Sequence, residues 1–260
     1  MRPPHALTAL AVLLAVAAPA QAQNIVDVAP ATVAEQYLLA AANQDRAALG
    51  LAPLHRDPTL VRAALTHART MAAHQTISHQ FPGEPDLSAR GAAAGVRFSA
   101  ISENVGEAPS AVTMHDLWMH SPGHRANLLD STADSVGISV VARGGQLYAV
   151  EDFARSVRAM TLNDQESAVA ALLAGPRLQV EWSAATTSAA RETCAMSTGY
   201  AGATRPWFVM RFTADSLTAL PAELQTRIAS GRYRQAAVGA CSPAAASPFT
   251  GYTIAVLLYP

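Results

Sequence analysis

His79 in Ile77-Ser78-His79, Glu103 in Glu103-Asn104-Val105-Gly106 and His124 in Ser121-Pro122-Gly123-His124 carry the side chains best suited to joint chemistry. Two imidazoles and a carboxylate are a recognised zinc ligand set, and an open fourth position leaves room for an activated water. The same groups also serve as hydrogen-bonding walls of a cleft. Asn104 and Ser121 stand beside them and join the candidate cleft. His120 and His124 have the i, i+4 spacing of a helical metal pair, but Pro122 between them breaks a helix. Ser121 lacks a Gly-x-Ser-x-Gly frame, which argues against a serine nucleophile.

Composition removes several classes of function. All 18 basic residues are Arg. No Lys is present for a Walker A loop, a Schiff base or a Ser-x-x-Lys site. A formal charge of −1 over 260 residues argues against an electrostatic grip on nucleic acid or an anionic membrane. Residues 1–22 read as a signal peptide: Arg2, an apolar run from Leu7 to Ala18, and Ala20-Gln21-Ala22 as the cleavage signal. That run is too short to span a bilayer comfortably, and no later stretch is longer. The mature chain is therefore expected in the periplasm or outside the cell, with cleavage near Ala22. In such a compartment the even pair Cys194 and Cys241 favours a disulfide, worth about 4 kcal/mol by loop entropy. Two buried free thiols are the alternative.

Two domains are expected to hold these residues. A helix is read over 33–49, with Val33, Tyr37, Ala40, Ala41, Gln44 and Ala48 marking one side and Gly50 as its C-terminal cap. Asp57-Pro58 opens a second helix, with Leu60, Ala64, His67, Met71 and His74 on its inner stripe. The two histidines there read as packed or hydrogen-bonded. Residues 82–95 read as loop, Val96–Phe98 as a short extended piece, and 110–119 as a third helix. Ser121, as hydroxyl N-cap before Pro122, starts a fourth. Alternating Val136, Ile138 and Val140, then Leu147 and Ala149, flank a hairpin turn at Arg143-Gly144-Gly145-Gln146. After a boundary near 156–162, Asn163-x-x-Glu166 resembles a capping box. Strands follow at 178–182, 207–212, 234–241 and 252–258, with a helix from Pro221 to Ser230. No internal repeat shows in the sequence.

The first block carries a family resemblance. Asn43-x-x-Arg46-x-x-x-Gly50-Leu51, Ser78-His79, Glu103-Asn104-Val105, Trp118-x-x-Ser121-Pro122-Gly123-His124-Arg125-x-Asn127-Leu128-Leu129 and Tyr148-x-x-Glu151-Asp152-Phe153 occur in order. Together they resemble a bacterial CAP-superfamily (SCP-like) domain, related to cysteine-rich secretory, antigen 5 and pathogenesis-related 1 proteins. The resemblance implies an α/β fold, a CAP-type α/β/α sandwich, over 33–155. A second small α+β domain over 160–260, with Cys194–Cys241, follows it. It also implies a cleft lined by two His and two Glu, able in some members to hold zinc or another divalent metal. His79, Glu103 and His124 match three of these positions, and Ser121 stands where the second Glu usually falls. Trp118 is read as a core anchor under the cleft, and Asn104 and Asn127 as ties to loop backbone.

The expected function is an exported binding module for a divalent metal and/or a small-molecule, lipid or peptide ligand. A zinc-dependent hydrolase on the same cleft, with Glu103 as candidate catalytic residue, is the alternative. A purely structural polar network is the third reading.

Overall fold

The computed structural model describes residues 30–243 and 247–260; the expected signal peptide over 1–22 lies outside the described residues. Helix α1 spans Val33–Ala48 and opens with a reciprocal capping box between Thr32 and Glu35. Gly50 takes the left-handed conformation after it, with φ of 69°. The inward face of α1 is Glu35, Leu38, Ala42 and Arg46, not the side expected from Val33 and Tyr37. Apolar periodicity misses it because two of its four residues are charged. Each charge is used inside. Glu35 Oε1 accepts the Val140 N–H at 3.1 Å. The Arg46 guanidinium donates to the carbonyls of Ala52, Leu128, Asp130 and Ala133 at 2.8–3.1 Å.

Strand β1 is His55–Arg56, and α2 runs over Pro58–His74 with Asp57 as N-cap. Leu60, Ala64, His67 and Met71 point inward as expected. His74 does not: it is exposed and stacks on Phe81 with ring centroids 4.5 Å apart. Within the expected loop lies a short helix, α3 (Leu87–Ala93), capped by Asp86. Strand β2 (Phe98–Ala108) is far longer than the expected piece at 96–98 and takes in Glu103–Gly106. Helices α4 (Ala111–His120) and α5 (Pro122–Leu128) meet at Ser121. Strands β3 (Ser135–Arg143) and β4 (Gln146–Ser156) turn through Gly144 and Gly145, both at positive φ.

The sheet order is β1-β3-β4-β2, with β1 parallel to β3 and the other pairs antiparallel. Leu38, Met114, Trp118 and Leu128 pack on one face against Ile138 and Phe153. Ala64, Ala68 and Met71 of α2 pack on the other against Val105 and Val150. This is the expected α/β/α sandwich. Gly137 of β3 lies so close to α2 that a Cβ there would overlap the Leu60 backbone. Gly137→Ala is accordingly expected to cost about 1–3 kcal/mol, read as a lower urea midpoint with an unchanged slope.

The second unit contains α6 (Leu162–Leu173), β5 (Gln179–Val180), α7 (Ala184–Ala195), β6 (Phe208–Ala214), α8 (Ala222–Ala229), β7 (Gln235–Cys241) and β8 (Tyr252–Tyr259). The four expected strands and the helix near 221–230 are present; α7 has no counterpart in the sequence reading. The capping box of α6 is Thr161 with Asp164, earlier in the chain than the Asn163/Glu166 reading. Glu166 is instead buried, where its carboxylate accepts from the Arg191 guanidinium at 2.6 Å and the Ala240 N–H at 2.9 Å. Cys194 and Cys241 are disulfide-bonded, tying α7 to β7. The sheet order, β5-β7-β8-β6, again places a short parallel strand at one edge and antiparallel pairs elsewhere. The units touch where the Thr250 N–H donates to Phe98 O at 2.7 Å and the Phe249 ring meets Phe98 edge-on. No helix among the described residues is long and apolar enough to cross a membrane.

Candidate ligand cleft

Strand β2 is an edge strand, and its stretch Glu103–Gly106 is buried between the helices on the two faces of the sheet. Successive side chains of a strand point to opposite faces. Glu103, paired with Asp152, therefore shares the α2–α3 face, and Asn104, paired with Glu151, shares the α4–α5 face.

On the first face, one arginine organises the site. Arg90 of α3 reaches both oxygens of Glu103 through Nη2, at 2.6 and 3.1 Å. Its Nη1 donates to the carbonyls of His79 and Pro85 at 3.1 and 3.2 Å. It thereby fixes the carboxylate and the backbone of His79 together. His67 is fully buried alongside. Its ring nitrogens meet Glu84 Oε1 and Ser78 O, each at 2.7 Å, and its Nε2 lies 3.4 Å from Glu103 Oε2. His79 Nδ1 is 3.8 Å from Glu103 Oε1, and its side chain is 63% exposed. That ring is free to turn toward a ligand.

On the second face, asparagines clamp α5 to the strand. Asn127 Nδ2 donates to Glu103 O and Asn104 Oδ1 at 3.1 and 3.0 Å, and Asn104 Nδ2 donates to His124 O at 3.2 Å. Trp118, 2% exposed, donates from Nε1 to Val105 O at 3.0 Å. Its ring lies 6.5 Å from that of His124, and its burial is that expected of a core anchor. Ser121 supplies the α4–α5 junction, but its hydroxyl makes no capping bond, contrary to the sequence expectation. Pro122 at the helix start and the Ser121 backbone set the turn without it. His120 is on the exposed side of α4, held by Asp116 O, and does not face His124's partners.

Burial raises the proton affinity of Glu103, against the opposing pull of Arg90 and His67. Burial lowers that of His124, and the charge of His79 lowers it further. Behind β2 lie two fully buried acids. Burial pushes Glu151 up to about 8, against a hydrogen bond from Asn104. Asp152 is raised by burial and by Glu103, with Arg90 opposing.

The expected zinc set does not fit this arrangement. Among the described residues no three His, Cys, Asp or Glu side chains are disposed to hold one metal ion. Both Glu103 oxygens accept from the Arg90 guanidinium, whose positive charge disfavours a divalent cation beside it. His79 and His124 remain as two imidazoles. Arg90, His67 and Glu84 were missed as site residues by sequence reading. The legible clue was His67 on the inner stripe of α2; nothing in the spacing pairs Arg90 with Glu103.

Residues 39–153 match the cysteine-rich secretory protein family, CAP, and this part of the chain is a CAP domain. A curated relative is the uncharacterized protein YkwD of Bacillus subtilis (strain 168). It is 30% identical over 136 residues, covering 49% of this chain and 51% of that protein. The chain thus spans about half the length of the curated relative it matches. Among solved structures, an extracellular SCP-domain protein from Bacillus anthracis str. Ames is 24% identical with a TM-score of 0.44, covering 49% of this chain and 45% of that one. An outer surface protein from Borrelia burgdorferi is 20% identical with a TM-score of 0.45, covering 47% of this chain and 92% of that one.

Proposed function

We propose that this is an exported CAP-domain protein whose cleft around β2 binds a small polar or peptide-like ligand. The observation that carries the reading is the approach of His79 to Glu103 at 3.8 Å, together with the asparagine clamp that holds α5, and with it His124, on the same strand. Arg90, Asn104 and Asn127 brace all three with hydrogen bonds. Such a site offers two imidazoles for hydrogen bonding and one anchored carboxylate whose remaining lone pairs can accept from a neutral amide or hydroxyl. Arg90 offsets the charge of Glu103, which favours recognition of such a ligand over a divalent cation. Export rests on the leader-like residues 1–22 and agrees with the Cys194–Cys241 disulfide.

Calorimetric titration of the chain from Gln23 onward with a panel of amidated tripeptides tests the reading, with Zn2+ run in parallel. Saturable binding of at least one peptide is expected, weakened at least tenfold in His79→Ala/His124→Ala. Zinc is expected to bind weakly, as to two imidazoles. Tight stoichiometric zinc binding lost in Glu103→Gln, or peptide binding indifferent to both histidines, contradicts the proposal.

A further inference from the structure

We propose that residues 161–260 are a second CAP-type unit from which the polar cleft has been erased, and that the first unit keeps Glu151 and Asp152 for its cleft rather than for folding. The second half of this proposal rests on the ligand-cleft reading above.

The two units agree beyond strand order. The parallel strand of the first pairs His55 with Ser135 and Arg56 with Val136; that of the second pairs Gln179 with Gln235 and Val180 with Ala236. Ser135 in turn faces Ala154, and Gln235 faces Tyr259. Following this register, Val140 corresponds to Ala240. Each of these backbone N–H groups donates to a buried glutamate of the unit's first helix, Glu35 at 3.1 Å and Glu166 at 2.9 Å. Leu38 and Ala42 follow Glu35 inward, and Val169 and Leu173 follow Glu166 at the same spacing. Both helices open with a threonine capping box, although the buried glutamate lies three residues after Thr32 and five after Thr161. Ser139 bonds the α2 backbone at Val61 O. Its counterpart Gly239 lets α7 approach until a Cβ would overlap Ala190. Unrelated sheets have no reason to share a buried carboxylate on the same strand amide.

The same register locates the cleft positions in the second unit. The paired residues Glu103 and Asp152 correspond to Val209 and Leu257, and Asn104 and Glu151 correspond to Met210 and Val256. The frame therefore forms with four apolar residues where the first unit has four polar ones. In the first unit the buried pair is poorly satisfied. Among the described residues, Glu151 Oε1 and both Asp152 carboxyl oxygens have no hydrogen-bond partner, and both residues are 0% exposed. Unsatisfied buried groups cost stability, so folding alone does not favour them. Their place behind Glu103 and Asn104 makes them positioning residues for the cleft. Asp152 is the cross-strand neighbour of Glu103, and Glu151 acts through Asn104, which also bonds His124 O.

The double variant Glu151→Val/Asp152→Leu, which installs the side chains of the second unit, tests both halves. Scanning calorimetry at pH 8 is expected to show a Tm higher by about 5 °C, with tripeptide binding weakened at least tenfold. Asp152→Asn, which keeps the shape and polarity, is expected to retain most of the binding. A lower Tm or an unfolded double variant overturns the claim that the fold does not need the pair. A higher Tm with unchanged peptide binding overturns their assignment to the cleft. If the wild-type protein binds no tripeptide, the ligand reading fails by itself, while the Tm still decides whether the frame tolerates the apolar residues of the second unit. Transferring the acids the other way, in Val256→Glu/Leu257→Asp, is expected to lower the Tm; no loss there contradicts the equivalence.

Discussion

Replacing Arg90 with Met is expected to lower stability by about 3–5 kcal/mol at pH 8, the range for breaking a buried ion pair by removing one partner. Arg90 is 6% exposed and Glu103 equally so, so neither charge is well hydrated. Without the guanidinium, Glu103 keeps its burial cost and loses its main counter-charge. Its folded proton affinity then rises further. An acid raised in the folded state binds a proton there that the unfolded state has released, so the deficit grows as pH rises above the ordinary glutamate range. Urea unfolding at pH 5 and pH 8 separates the cases: the loss should be smaller at pH 5. The variant should also loosen His79, whose carbonyl accepts from Arg90. A loss below about 1 kcal/mol at pH 8, within the range of surface pairs, contradicts the organising role given to Arg90.

Glu151→Gln is expected to stabilise the protein at alkaline pH. The side chain's proton affinity stands at about 8 in the fold against an ordinary 4.5. Between those values the folded state holds the proton and the unfolded state does not, so stability falls as pH rises from about 4.5 through 8. Integrated over that window the cost is on the order of 5 kcal/mol. Glutamine keeps an oxygen for Asn104 and cannot ionise. The variant should therefore match the wild type near pH 4.5 and exceed it by several kcal/mol at pH 9. Asp152, raised by burial and by Glu103, leaves some pH dependence of the same sign in the variant. Parallel stability–pH curves for the two proteins contradict this account.

The division between what the sequence revealed and what it hid follows burial of charge. Periodicity found α2, the hairpin and all four strands of the second sheet, because their inward positions are apolar. It read the wrong side of α1 and misplaced the α6 cap, because Glu35, Arg46 and Glu166 point inward and are satisfied by distant backbone groups. Gly and Pro around 82–95 hid α3, and with it Arg90. The family motif singled out His79, Glu103 and His124. It did not show the Arg90–Glu103 ion pair, because no spacing in the sequence links those two residues. The likeness of the two units was invisible for a related reason: it lies in register and in a shared strand-amide bond, while the side chains at the equivalent cleft positions changed from polar to apolar.

The central claim is that the cleft around β2 of the CAP domain, braced by Arg90, is where the ligand is held. A crystal structure of the protein soaked with the tightest-binding tripeptide tests it most directly. The account predicts peptide density between His79 and His124, with the Arg90–Glu103 pair intact. Peptide seated only on the second unit, or Glu103 released from Arg90 to ligate a metal ion with the two histidines, would contradict it.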